Sequence, residues 1–178
     1  MGEKFRKSRP DRLSRLAAAI EALGDRDQKL IDENRRVDRM RVEAAVELYS
    51  ICRRFVDNLN AKLSQPAVLL SPGSFSGQSF DDNGPNLFQI NLRGRLLQIE
   101  FSVTDEPYER DDFRIPYILR GAVRSFSQKF LEANSIDEQM IFYCPEGARG
   151  RWYFFDGRTY RSGELNEEFL ATELEKLV

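Results

Sequence analysis

The chain has 178 residues, 41% hydrophobic and 31% charged, which is enough for one packed core plus an appendage. Its net charge of -2 gives no overall attraction to nucleic acid, and the absence of histidine removes the commonest general base and metal ligand. The charge is uneven: residues 1–64 carry 15 Lys+Arg and 11 Asp+Glu (+4), and residues 65–178 carry 12 and 18 (-6).

Residues 1–10, with Lys4, Arg6, Lys7 and Arg9, read as a disordered basic tail. The apolar stretch Leu16–Ile20 is too short for a signal sequence, and no run reaches membrane-span length. The expected address is cytoplasmic.

A first helix is expected over Asp11–Leu23, with Leu13, Leu16, Ile20 and Leu23 on one face and Gly24–Asp27 as its stop. A second, long helix follows from Gln28 to Leu63 before Pro66. Its C-terminal half carries the broad apolar stripe Leu48, Ile51, Cys52, Phe55, Val56, Leu59 and Leu63, suited to lying on a sheet. Its N-terminal half is mostly charged, with Leu30, Ile31, Val37 and Met40 as its apolar residues. Leu23, Leu30, Val37, Ala44 and Ile51 recur every seven. The second seam of that repeat holds Asp27, Asn34 and Arg41, which argues against a regular coiled coil.

Ala67–Leu70 reads as a strand and 71–85 as a Gly/Ser/Pro-rich loop. Asn86–Thr104 reads as a hairpin. A two-residue turn at Arg93-Gly94 pairs Leu92 with Arg95, Ile90 with Leu97 and Phe88 with Ile99, and puts the apolar sets of both strands on one face. Residues 105–112 form an acidic connection, and Phe113–Tyr117 a further strand. Ile118, Leu119, Ala122, Val123, Phe126, Phe130 and Leu131 fit a middle helix ending near Ala133. Met140–Cys144 is another strand. Arg151–Phe155 turns at Asp156-Gly157 into Arg158–Arg161. Asn166 caps a last helix.

The expected class is α+β. A long N-terminal helix, a middle helix and a C-terminal helix cover an antiparallel sheet of five or six strands. The expected divisions are the tail 1–10, a helical arm 11–45 and a globular domain 46–178.

No motif fixes a chemistry. The glycines of loop 71–86 lack the Lys-Ser/Thr pair of a phosphate-binding loop. The acids of 105–112 do not match calcium-loop spacing. Cys144 has no histidine to activate it, and Cys52 and Cys144 read as buried thiols. No catalytic residue, metal or cofactor is assigned, and the reading leans away from an enzyme.

Two surfaces remain as candidates. Leu13, Leu16, Ile20, Leu23, Leu30, Val37 and Met40 form a candidate interface, pointing to a non-enzymatic interaction or assembly module that makes a homodimer or binds another protein. Trp152, Phe154, Arg158, Tyr160 and Arg161 form an aromatic, Arg-bearing hairpin. With the basic arm, it would suit nucleic acid in a second reading. A third is a small-ligand binder or enzyme with a pocket between sheet and helix. No membrane contact is expected.

Overall fold

A computed structural model describes residues 11–127, 132 and 136–178. The basic tail and most of the segment 128–135 lie outside the described residues. The chain divides into two compact units, one ending at Arg36 and the other running from Val37 to Val178.

Helix α1 runs unbroken from Arg12 to Asn60. The expected stop at Gly24 is therefore corrected. Glycine in a helix interior costs only about 1 kcal/mol relative to alanine, and neither proline nor a competing cap lies near it. Asp11 caps the start, its Oδ1 accepting from the Ser14 N–H at 2.6 Å. At the other end, the Asn60 side chain turns to the sheet. Its Oδ1 accepts from the Ala67 and Val68 N–H groups, both at 3.0 Å, and its Nδ2 donates to the Val68 carbonyl at 2.8 Å. These bonds hold the first strand to the helix end.

Seven antiparallel strands follow: β1 (Val68–Ser71), β2 (Asn86–Leu92), β3 (Arg95–Val103), β4 (Leu119–Phe126), β5 (Asp137–Glu146), β6 (Arg149–Asp156) and β7 (Arg161–Glu164). They neighbour one another in sequence order, a meander with no crossover. The class is α+β, with seven strands in place of five or six. The central hairpin has the expected register, Phe88 with Ile99 and Ile90 with Leu97. Arg93 and Gly94, at φ 51 and 88, supply the left-handed turn.

The middle helix is overturned: its first half is the central strand β4, paired to β3 and β5. Leu119, Ala122, Val123 and Phe126 satisfy helical spacing. However, Leu119 and Val123 share one face with Gly121 and Ser125, while Arg120, Ala122 and Arg124 take the other. Gly121 fits this place because a Cβ there would meet the Glu100 carbonyl oxygen at 2.0 Å. The strand expected at Phe113–Tyr117 is a loop, joined by one bridge between Glu109 and Tyr117.

The last hairpin is also re-registered. Asp156 pairs with Arg161 across a four-residue loop, and β7 begins where the sequence reading ended it. Asp156 side-chain bonds to the Arg158 N–H and Thr159 Oγ1 stabilise this wider turn, with Tyr160 at φ 57. Helix α2 (Glu167–Glu175) starts as expected, with Asn166 Oδ1 accepting from the Phe169 N–H at 3.0 Å.

The core lies on one face of the sheet. The segment of α1 from Val37 to Val56 and helix α2 both pack there against Phe88, Ile90, Leu97, Ile99, Phe101, Val123, Ile141 and Trp152. Phe88, Phe101, Trp152 and Tyr143 form a chain of edge-to-face rings with centroids 5.4–5.5 Å apart. On the opposite face a smaller cluster gathers Phe113, Tyr117, Phe142 and Cys144 beneath the 104–118 loop.

Candidate interaction surface

From Arg12 the first unit is helical, and the large apolar side chains of this helix are exposed. Leu13, Leu16, Ile20, Leu23 and Leu30 are each between 55% and 75% exposed. The continuity of α1 through Gly24 places them on one helix. Their spacing of three, four, three and then seven residues makes a single stripe. Ile31, also exposed, widens it. Around the stripe the surface is charged, with Arg36 and Glu33 paired at 3.0 Å.

Val37 and Met40 leave this set. Both are buried in the second unit, in the same cluster as Ala44, Leu48 and Ile99. The seven-residue repeat misassigned them because it continues from one kind of surface into the other. Ala44 and Ala45, fully buried, let the helix backbone lie close to Trp152.

The aromatic hairpin does not form one surface. Trp152 is buried, its Nε1–H donating to the Ala44 carbonyl at 2.9 Å. Phe154 stacks on Phe169 of α2 with centroids 4.5 Å apart. Arg158 pairs with Asp137. Tyr160 and Arg161 stay exposed, as does Arg158 beside its partner. Trp152 and Phe154 are covered because their face of β6 packs against α1 and α2.

Two members of the basic arm have partners within the chain: Arg36 pairs with Glu33, and Arg41 reaches the sheet. Arg41 Nε donates to the Ile118 carbonyl at 3.2 Å, and Nη2 to Thr104 Oγ1 at 3.0 Å and to the Thr104 and Glu106 carbonyls. Arg41 thus clamps both ends of the 105–117 loop, whose first part is the acidic connection 105–112. A guanidinium has the fixed fork of donors needed to reach several carbonyls at once.

Two clefts are present, the second of them between sheet and helix. One, of about 300 Å3, lies on the open face of the sheet over Arg120 and Arg124. Its charges are matched: Arg124 pairs with Glu100 and Glu138, and Arg120 with Glu109 and Asp112. The other, of about 530 Å3, lies between β6–β7 and α2. The Lys176 Nζ there is held by Glu173 and Asp137 at 2.6–2.8 Å. The thiols of Cys52 and Cys144 are both pushed up to about 12 by burial. Among the described residues no cluster could hold a metal ion, and no helix is long and apolar enough to cross a membrane.

Comparison with protein-family models, with curated proteins and with solved structures finds no match.

Proposed function

We propose that this chain is a self-associating interaction module, whose contact surface is the first half of α1. The observation that carries the reading is the stripe Leu13, Leu16, Ile20, Leu23 and Leu30. It is regular along one helix and mostly exposed, while the other apolar stripes among the described residues are packed. Three heptad-spaced turns of leucine and isoleucine exceed what solubility calls for and fit burial against a second helix. Helix formation gives the same argument. A single charged helix of this length gains little from propensity alone and is stabilised chiefly by packing its apolar face.

Hydrogen exchange over a dilution series tests this. Amides of residues 12–36 should be protected at high protein concentration and lose protection on dilution, while those of 44–56 keep theirs throughout. Protection of 12–36 that does not depend on concentration would remove the reading.

A further inference from the structure

We infer that residues 110–116 are a flap over β5 and β6, rising from a fixed base and latched by the ring of Phe113.

The base is tied at both ends. Arg41 holds the carbonyls of Thr104, Glu106 and Ile118. Glu109 then closes the loop on itself. Its N–H donates to the Tyr117 carbonyl at 3.0 Å, and its carbonyl accepts from the Tyr117 N–H at 2.9 Å. Its Oε1 accepts from the Asp105 N–H at 2.8 Å. Segment 110–116 therefore leaves and returns at two fixed neighbours, the arrangement of a compact surface loop whose ends are close.

Beyond that bridge the attachments thin out. Among the described residues no backbone–backbone hydrogen bond joins 110–116 to the sheet. Of these residues only Phe113 is buried. Its ring lies flat on Phe142, with centroids 4.9 Å apart and planes 9° apart, and Tyr153 and Phe155 stand at 6.1 and 6.2 Å. The second anchor is Asp112. Its Oδ2 accepts from the Tyr117 hydroxyl at 3.4 Å and lies 3.8 Å from Arg120 Nη1, and its N–H donates to the same hydroxyl at 3.4 Å. These contacts are long, and a half-exposed ion pair contributes little to holding a segment down. A segment with one buried apolar side chain and no ladder bonds opens at a lower free energy than the core. Phe113 thus fills, from within the chain, an aromatic slot walled by Phe142, Tyr153 and Phe155. Lifting the flap empties that slot and uncovers the cluster to which Cys144 belongs.

The two cysteines report on the motion in the full chain. Cys52 lies in the main core on α1, and Cys144 lies beneath the flap. Methyl methanethiosulfonate is added at pH 8 over a series of sub-denaturing urea concentrations, and the labelling of each thiol is followed by mass spectrometry. Cys144 should label about tenfold or more faster than Cys52, at a rate that barely changes with urea, because lifting a flap exposes little surface. Phe113→Ala should speed labelling of Cys144 by about a further tenfold and leave Cys52 as it was. Equal rates at the two thiols, with the same steep urea dependence, would mean that only global unfolding reaches Cys144 and would overturn the inference. A folded Phe113→Ala protein with the natural rate at Cys144 would overturn it too. If the alanine variant fails to fold, Phe113→Leu takes its place. It keeps an apolar side chain and loses the stacked ring, and an unchanged Cys144 rate in it counts equally against the latch.

Discussion

The indole of Trp152 joins sheet to helix by its bulk and by its N–H. It is the largest fully buried side chain, and its donor reaches the Ala44 carbonyl 108 residues away. Trp152→Phe removes that bond and part of the ring volume. It should lower unfolding free energy by about 1–3 kcal/mol, read by urea denaturation. Alkaline pH should act on the same core. Burial, and secondarily the Glu47 charge, pushes the Tyr143 phenol up to about 12 from 10.0, and burial pushes the Cys52 thiol up to about 12 from 9.0. In the unfolded chain both lose their protons near the ordinary values. Between these values and about 12 the unfolded state therefore binds fewer protons than the folded one, so stability must fall as pH rises through that window. Urea midpoints should be lower at pH 11 than at pH 8. An unchanged midpoint would contradict the burial of these groups.

At the scale of elements, the sequence showed most where one period dominated. Phe88, Ile90, Leu97, Ile99 and Phe101 alternate cleanly, and Arg93-Gly94 admits a left-handed turn, so strands, register and core face of β2–β3 were legible. Segment 118–126 failed because its residues satisfy two periods at once. Helical spacing links Leu119, Ala122, Val123 and Phe126, and only pairing with β3 and β5 selects the strand. The Asp156-Gly157 hairpin failed because Asp-Gly favours a two-residue turn, whereas Asp156 caps a wider loop with its own side chain. Gly24 failed in the opposite sense: as a residue that often ends helices, it was read as ending one. With open space where its Cβ would go, Gly24→Ala should stabilise the helix by about 0.5–1 kcal/mol and raise the helical circular dichroism signal. A loss of helicity would indicate a turn at that position.

On the scale of the whole molecule, the described apolar residues are divided between a core in the second unit and an exposed stripe in the first. The sequence located the stripe but extended it to Val37 and Met40, since a repeat does not reveal which surface it faces. Arg41, read as part of a basic arm, holds the 105–117 loop, which weakens the nucleic-acid reading by removing a cation from the surface. On the proposed reading, Leu13, Leu16, Ile20, Leu23 and Leu30 bind a second copy. Static light scattering on the full chain, beside the Leu16→Glu/Ile20→Glu double variant, measures this most directly. A molar mass near twice the 20.7 kDa of one chain is expected for the natural sequence. One chain's mass is expected for the variant, with the urea stability of the second unit unchanged. A natural chain that scatters as a monomer at high micromolar concentration, or a variant that dimerises equally well, would contradict it.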